Sequence, residues 1–508
     1  MRKTVFIKNA IVLTVTSLLV RFAGIIFKVW LGAEIGSEGI GLYQLIFSFY
    51  MLASTFATSG ISTAVTRLVA EEMCVGSKIS IKKIVKKAIS ITLFVAVASM
   101  LLIFAFKGVI TNLIIGDARA EKAIFVLPFS LPFMGISSCL RGYFIARRRS
   151  EPNALSQILE QILRISLVLF LVKKTQKYGM AMIMAAVMAG DVISEVGGML
   201  LLAIGYIIDR QKVSSAGREG PPYPIGKKIR SIAVPITSGR YLNTLLRTAE
   251  NSLVPKNLAK YTIGTASALS QFGMIKGMAL PVLFFPSAVL SAVSLLMIPE
   301  ISHNIAMNRP QVVRETVRKI IKITSLISFI FGGIFLVSGE RIGQLIYNEQ
   351  EVGFLIKAFA PIVPFMYLDS ISDGILKGLD QQNFTFRTSI FDSAIRIILI
   401  LIFVPISGLR GFILIMYFSN FLTCFLNVKQ LIKVTGLKLQ IIKEMIFPCS
   451  LAVAVSLLFR VVFDKIKISD NLVYIILLVV VSVLIYGGIL SALKIVGFND
   501  FKTKEKRG

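Results

Sequence analysis

Apolar runs long enough to cross a lipid bilayer recur along the chain, and they limit its fold more than any other feature. A span needs about 20 residues to cross roughly 30 Å of hydrocarbon, and a helix satisfies its backbone hydrogen bonds within one segment. Hydrophobic residues make up 55% of the 508 residues, and the mean hydropathy is +0.78. We therefore predict an all-α polytopic membrane protein.

Polar stretches and Gly/Pro breaks between the apolar runs predict about fourteen transmembrane helices. Their predicted limits are 5–29, 39–69, 88–107, 121–144, 153–172, 178–208, 229–254, 268–304, 320–338, 353–377, 386–404, 410–428, 445–463 and 471–493. Several exceed about 25 residues, which favours tilting, bending or extension into water.

The distribution of basic residues predicts the topology. With the N-terminus inside, roughly 33 basic residues fall in cytoplasmic segments and about 13 fall outside, as the positive-inside rule requires. We therefore expect a multi-pass protein of the cell membrane with both termini in the cytoplasm. The net charge of +29 then reflects topology and attraction to anionic lipids. It is not concentrated on a soluble face with interleaved aromatic residues, which argues against a nucleic-acid partner.

An internal repeat divides the chain into two similar lobes. The motif PFM at 132–134 recurs at 364–366, and the same offset of about 232 residues aligns Glu160 with Asp392 and Arg164 with Arg396. It also aligns the ends of predicted helices 2 and 8. Between the copies lies the Pro- and Gly-rich segment SSAGREGPPYPIGKK, which is typical of a linker. We predict an N-lobe of six helices, a cytoplasmic linker, a pseudo-symmetric C-lobe of six helices, and two further helices with a basic tail, at 1–208, 209–228, 229–430 and 431–508.

Several acidic residues lie within the predicted spans. A charge near the centre of a span costs at least about 2.5–3.5 kcal/mol, so each needs a partner, water or a ligand. The i,i+4 spacing allows Glu160 to pair with Arg164, and Asp392 with Arg396. Two further groups place carboxylates one turn apart, which suits a proton or sodium site; salt bridges to arginines of neighbouring helices are the alternative. These candidate ion-coupling residues are Asp191, Glu195, Asp369 and Asp373, the last two sharing a helix face with Lys377.

Cations form a second intramembrane pattern. Arg21 and Lys28 lie seven residues apart on one face of predicted helix 1, and Arg240 and Arg247 repeat the spacing on helix 7, with Glu250 near the next turn. If the halves pack as pseudo-equivalents, both stripes face one central cavity suited to an anion. Arginine binds phosphate oxygens bidentately and keeps its proton, so the best-matched ligand is a phosphate or pyrophosphate. The alternative is that Lys28 and Arg240 snorkel to the interface.

The chain lacks the motifs of enzymes and ATP-driven pumps. GPPYPIGK at 220–227 has the wrong spacing for a Walker loop and follows no predicted strand. No nucleophile, metal cluster or paired-acid motif stands out. The sequence therefore predicts no enzyme activity and no cofactor, and favours a transporter driven by ion or electrical gradients.

Two runs identify a family resemblance. FIKNAIVLTVTSLLVRFAGIIFKVWLGAEIGSEGIGLYQLI at 6–46 and FGMIKGMALPVLFFPSAVLSAVSLLMIPEIS at 272–302 resemble the stage V sporulation protein B group of polysaccharide transporters. This group belongs to the multidrug/oligosaccharidyl-lipid/polysaccharide exporter superfamily, and the similarity covers almost the whole chain. The resemblance implies two six-helix lobes around a cavity that opens alternately to either side, lined by helices 1, 2, 7 and 8.

The resemblance also implies a substrate and roles for the cations. In the related lipid II flippases, first-helix cations receive a pyrophosphate and two added C-terminal helices hold the polyprenyl tail; Arg21 and Lys28 fall on those positions. The group usually has arginine at position 28 and aspartate at position 250, where this chain has Lys28 and Glu250. The implied function is alternating-access flipping of an undecaprenyl-pyrophosphate-linked saccharide, a lipid II-type peptidoglycan precursor for the spore cortex, across a bacterial cytoplasmic membrane. Arg21, Arg240 and Arg247 would hold the pyrophosphate, Lys28 would assist, and Glu250 would reset the site.

Two other functions remain open from the sequence. An ion-coupled exporter of small organic cations would use an acidic cavity built from the four candidate ion-coupling residues. A non-transporting scaffold would recruit peptidoglycan synthases of cortex synthesis through its basic loops. Besides such synthases, the expected partners are the lipid-linked saccharide and membrane lipids.

Overall fold

The structure is a computed structural model of the chain. It describes residues 2–58, 60–75, 78–211, 224–262, 264–288, 290, 301, 303–305, 307–437, 445–466 and 471–493. Across these ranges every regular element is a helix and none is a strand. The predicted all-α fold class is therefore confirmed. The predicted linker at 209–228 falls mostly outside the described residues.

The described residues contain thirteen long helices or helical runs. In chain order, α1 to α13 are Arg2–Thr58, Ile61–Val75, Lys78–Ala105, Ala118–Ala146, Glu151–Thr175, Met180–Gln211, Ile225–Tyr261, Thr265–Phe284, Pro310–Tyr347, Gln350–Gly378, Gln382–Thr435, Phe447–Ile466 and Asn471–Ala492. Short 3₁₀ or π segments interrupt α4, α8 and α10. The connections between helices contain a three-residue α-helix at Lys107–Val109, a π segment at Ile110–Ile115 and a 3₁₀ segment at Gln176–Tyr178.

Hydropathy and length single out the helices that can cross a membrane. Within the described part of the chain, nine helical runs are long and apolar enough to do so, and the shorter apolar helix Phe447–Val462 adds to them. The protein is therefore a multi-pass membrane protein. The predicted total of about fourteen spans stays a prediction.

The predicted break between helices 1 and 2 is only a kink. Hydrogen bonding runs through 30–38 as part of α1, and the chain bends at Gly36, whose φ of 72° and ψ of 176° are not helical. A side chain would be strained in this conformation, whereas glycine adopts it readily. Gly408 likewise bends the chain inside α11, with a φ of 56° and a ψ of −134°. The predicted helices 386–404 and 410–428 therefore form one helical run.

The prediction of a continuous helix 2 over 39–69 is wrong. The helix ends at Thr58 and a new one begins at Ile61, because Gly60 has a φ of 74°. A Cβ on Gly60 would lie 2.4 Å from the carbonyl oxygen of Ala233 on α7. The glycine thus both turns the chain and lets the α7 backbone come close.

Predicted helix 8, over 268–304, is described only in part. It begins as α8 and contains a π segment at Met274–Ala279. Residues 291–300, which carry most of the proposed repeat of the helix 2 terminus, lie outside the described residues.

The described chain divides into two compact units. The first comprises Met1–Phe27 and Gly41–Lys256, and the second comprises Lys28–Ile40 and Asn257–Gly508. A hydrophobic cluster of the first unit is formed by buried apolar side chains of α2, α3, α4, α6 and α7, among them Leu68, Ile84, Tyr143, Leu202 and Ile229. The division into two pseudo-symmetric lobes at 1–208 and 229–430 stays a prediction.

Candidate functional site

A polar cavity of about 250 Å³ lies within the first unit. It combines two cations, one acid and several hydroxyls, a mixture that requires water or a polar ligand. Its lining residues are Thr58, Gly60, Ser62, Thr63, Met134, Ser138, Arg141, Glu195 and Arg240.

Close packing of α7 against the 41–58 part of α1 places Arg240 beside this cavity. The Thr248 hydroxyl donates to the carbonyl oxygen of Ser48 at 3.1 Å, and the Asn251 amide donates to the Ser48 hydroxyl at 2.8 Å. Further along, the rings of Phe56 and Tyr241 meet edge to face at 5.6 Å. These contacts fix the position of α7 along α1. As a result, Arg240 lies at the level of the turn at Gly60.

Arg164 on α5 joins three acidic side chains. Its Nη2 lies 3.1 Å from Oε1 of Glu160, its Nε lies 2.6 Å from Oδ1 of Asp191, and its Nη2 lies 3.7 Å from Oε1 of Glu195. The expected i,i+4 pair with Glu160 is therefore present. Asp191 and Glu195 also pair with an arginine of a neighbouring helix, as in the alternative interpretation of these acids. An ion-coupling role for them stays a prediction.

The network extends to the cavity through a second arginine. Arg141 on α4 donates from Nη2 to Oε2 of Glu160 at 2.8 Å, and it lines the cavity beside Glu195. Glu195 lines the same cavity and lies 3.7 Å from Nη2 of Arg164, which also pairs with Glu160. A chain of charged groups thus connects the cavity to Arg164.

Sequence reasoning did not identify Arg141. It lies 19 residues before Glu160, and no spacing motif connects the two residues. Its position near the end of predicted helix 4 is also that of an ordinary charge at the membrane interface. Its role depends on the packing of α4 against α2, where a Cβ on Gly142 would lie 2.5 Å from the carbonyl oxygen of Ser62.

The predicted cations fall into different environments. Arg21, Arg240 and Arg247 belong to the first unit and are exposed. Among the described side chains, none forms an ion pair with any of these three. Glu250, in the same unit, is buried with 3% exposure. Lys28 is half-buried and belongs to the second unit.

The acids of the second unit are also partnered. Lys377 lies 2.5 Å from Asp373, one turn away. Asp369 accepts a hydrogen bond of 2.8 Å from the Asn427 amide. Asp392 pairs with Arg396 as the spacing predicted, and it accepts a further hydrogen bond from the hydroxyl of Ser419.

Comparisons with known proteins agree with this architecture. The family profile described as polysaccharide biosynthesis protein matches residues 6–303, and the MatE profile matches residues 266–402. The stage V sporulation protein B of Bacillus subtilis (strain 168) is 26% identical over 448 residues, covering 87% of this chain and 86% of that protein. The lipid II flippase MurJ of the same organism is 22% identical over 451 residues, covering 84% and 82%.

A solved structure shows the same fold. The lipid II flippase MurJ in an inward closed conformation superposes with a TM-score of 0.69 at 15% identity, covering 96% of this chain and 100% of that one. With the relatives above, this makes the protein a membrane transporter or flippase of the multidrug/oligosaccharidyl-lipid/polysaccharide exporter superfamily, and not an enzyme. Because the first profile spans more than half of its length, the chain belongs to the polysaccharide biosynthesis protein family.

Proposed function

We propose that the protein is a flippase for an undecaprenyl-pyrophosphate-linked saccharide, a lipid II-type peptidoglycan precursor used for the spore cortex. It would carry this lipid from the inner to the outer leaflet of the cytoplasmic membrane by alternating access. The names of two relatives support this substrate, since one is a sporulation protein and the other a lipid II flippase. A lipid-linked saccharide and membrane lipids are then the direct partners.

The observation that carries the proposal is the environment of Arg240. It lines a polar cavity of the first unit together with Arg141, and no described carboxylate pairs with it. A guanidinium group presents a planar fork of donors that matches two oxygens of a phosphate group. The hydroxyls of Ser62 and Thr63 line the same cavity and can donate to the remaining oxygens.

We assign the other predicted residues to the same substrate. Arg21 and Arg247 would hold the pyrophosphate with Arg240, because each is an exposed cation of the first unit. Lys28 would assist as a point charge, since an ammonium lacks the bidentate fork. Glu250 would reset the site between cycles by offering the arginines a carboxylate once the anion has left.

An exporter of small organic cations fits the charges less well. Such a site needs carboxylates whose charge is available to the substrate. Asp191 and Asp373 lie instead at 2.6 Å from Arg164 and 2.5 Å from Lys377, which compensates their charge. We therefore favour an anionic substrate.

The test is flipping of a fluorescent lipid II analogue in proteoliposomes, with the native protein compared with Arg21→Ala and Arg247→Ala. The matched control is Arg67→Ala, since Arg67 is an exposed arginine whose partner is Glu71 on its own helix. We expect flipping by the native protein and the control, and loss of at least tenfold in rate for each site variant. Unchanged flipping by both site variants, or none by folded native protein under any imposed gradient, would overturn the proposal.

A further inference from the structure

Arg141 on α4 lines the polar cavity, but its hydrogen-bonding capacity is only partly used. Its Nη2 donates to Oε2 of Glu160 at 2.8 Å, whereas its Nε is buried and has no hydrogen-bond partner. A guanidinium group carries five N–H donors, and within the described part of the chain Glu160 is the one acceptor that this side chain contacts. With 31% of the side chain exposed, Arg141 retains donors for a ligand in the cavity.

The charge of Arg141 is also only partly compensated. Glu160 is shared between two arginines, since its Oε1 lies 3.1 Å from Nη2 of Arg164. Glu195, the one acid among the lining residues, lies 3.7 Å from the same nitrogen of Arg164. The cavity wall therefore combines two arginines, Arg141 and Arg240, with a single acid that already has a partner outside the wall. This excess of positive charge favours an anion.

Arg141 and Arg240 reach this small cavity from different helices. The Thr66 hydroxyl of α2 donates to the carbonyl oxygen of Gly142 at 3.0 Å, which holds Arg141 beside α2, and Arg240 approaches from α7. At about 250 Å³, the cavity is smaller than the roughly 300–1,000 Å³ of pockets that enclose a drug-sized molecule. Its size and its two cations suit a group of one or two phosphates rather than a whole saccharide.

We propose that Arg141 makes the site selective for a diphosphate over a monophosphate. One phosphate group would bind at Arg240 and the other at Arg141, with each guanidinium donating to the phosphate oxygens. A single phosphate group bound at Arg240 would leave Arg141 without a ligand and would gain nothing from it. This inference rests on the proposed function, to which it adds the residue that recognises the second phosphate group.

The direct test compares inorganic pyrophosphate with inorganic phosphate as probes, by calorimetric titration of the full chain in detergent at fixed pH and ionic strength. Each anion gives a dissociation constant, and the ratio of the two constants measures the preference for a diphosphate. We expect the native protein to bind pyrophosphate about tenfold or more tightly than phosphate, because the second phosphate group adds a charge-assisted contact. Arg240→Ala should weaken the binding of both anions.

Variants of Arg141 test the assignment. Arg141→Met replaces the guanidinium with an uncharged side chain, so pyrophosphate binding should weaken by roughly tenfold while phosphate binding stays unchanged. Arg141→Lys keeps a positive charge for Glu160 but lacks the planar fork; it should also lose most of the preference, and it replaces Arg141→Met where that variant does not fold. The surface control Arg67→Met breaks only the exposed pair with Glu71 and should keep both native dissociation constants.

The ratio of the two dissociation constants decides the outcome. The inference is overturned if the native protein binds no pyrophosphate or binds it no more tightly than phosphate. A native preference retained in a folded variant of Arg141 would overturn it as well. So would an equal loss of affinity for both anions in Arg141→Met and Arg141→Lys, because that result indicates a purely structural role for the arginine.

Flipping assays on the same preparations separate this inference from the proposed function. Lipid II flipping by a native protein that shows no preference for pyrophosphate would overturn the role of Arg141 alone. A preference that depends on Arg141, in a folded native protein that does not flip lipid II, would overturn the proposed substrate and support the selectivity for a diphosphate.

Discussion

Nε of Arg164 lies 2.6 Å from Oδ1 of Asp191, and this contact joins α5 to α6 within the first unit. The Asp191 side chain is 7% exposed, and that of Arg164 is 25% exposed. Removing one partner of a buried pair leaves the other charge uncompensated, which costs more than the pair itself contributes. The contact therefore makes the α5 and α6 interface sensitive to any change of charge.

Replacing Arg164 with methionine should destabilise the protein severely. Asp191, Glu160 and Glu195 would lose their common cation, and a loss of about 3–5 kcal/mol is expected for breaking a buried ionic cluster. The effect is measured by thermal unfolding in detergent, in which the fraction of protein that remains soluble is determined at each temperature. The control Arg67→Met breaks an exposed i,i+4 pair and should cost about 1 kcal/mol or less. Equal losses for the two variants would contradict the described network.

Asp209 holds together the end of α4 and the turn that follows it. This side chain, 2% exposed, lies 2.9 Å from Nε of Arg147 and 2.7 Å from Nη1 of Arg149, and it accepts a hydrogen bond of 2.9 Å from the hydroxyl of Tyr143. Asp209→Asn should destabilise by about 2–4 kcal/mol, because two arginines lose their counter-charge. Tyr143→Phe removes one hydrogen bond to a charged group and should cost about 1.5–3 kcal/mol.

The same thermal assay distinguishes these two variants. The prediction is wrong if Asp209→Asn is as stable as the native protein, or if Tyr143→Phe is the more damaging of the two.

Gly60 should not tolerate a side chain. Gly60→Ala would need a left-handed backbone and would place its Cβ 2.4 Å from the carbonyl oxygen of Ala233, so α7 must move away from the cavity. We expect loss of folded protein or of flipping. Gly374→Ala is the matched control, since nothing lies within 4 Å of its Cβ position, and it should stabilise α10 by about 0.5–1 kcal/mol. Full flipping by Gly60→Ala would show that this close approach is not needed.

Asp117, which lies between the predicted spans, should give a small dependence of stability on pH. Burial raises the pKa of its carboxyl, but hydrogen bonds from Arg119, the shortest at 2.6 Å, outweigh this effect and leave the pKa below its ordinary value. Because the folded pKa is lower than the unfolded one, the stabilisation is fully present above about pH 4 and is lost as pH falls through the folded pKa.

Thermal unfolding between about pH 3 and 6 tests this dependence. The native protein should lose more stability on acidification than Asp117→Asn, which has no such carboxyl to titrate. Parallel pH profiles would contradict the assignment.

The sequence predicted those features that depend on one helix at a time. Hydropathy placed α13 within a residue of its observed end, and helical periodicity identified the pair of Glu160 with Arg164. At Gly36 and Gly408 the sequence predicts loops where the structure has kinks, because a glycine with positive φ interrupts the apolar pattern without ending the run of backbone hydrogen bonds.

Features that depend on which helices touch could not be predicted. The pairing of Asp191 with Arg164 required α6 to pack on α5, and the contact of Arg141 with Glu160 required α4 to lie beside α5. The break at Gly60 follows from the approach of α7, which no local pattern reveals. The apolar pattern specifies that these helices are buried or in lipid, but their neighbours are fixed by packing between distant segments.

The most direct test of the central claim is equilibrium binding of lipid II to the native protein and to Arg240→Ala in lipid nanodiscs. If Arg240 holds the pyrophosphate, its removal should weaken binding by roughly tenfold to a hundredfold, which corresponds to the loss of about 1.5–3 kcal/mol in charge-assisted hydrogen bonds. The same lipid without its phosphates should bind both proteins equally and weakly. Equal affinity of the native protein and Arg240→Ala for lipid II would contradict the account.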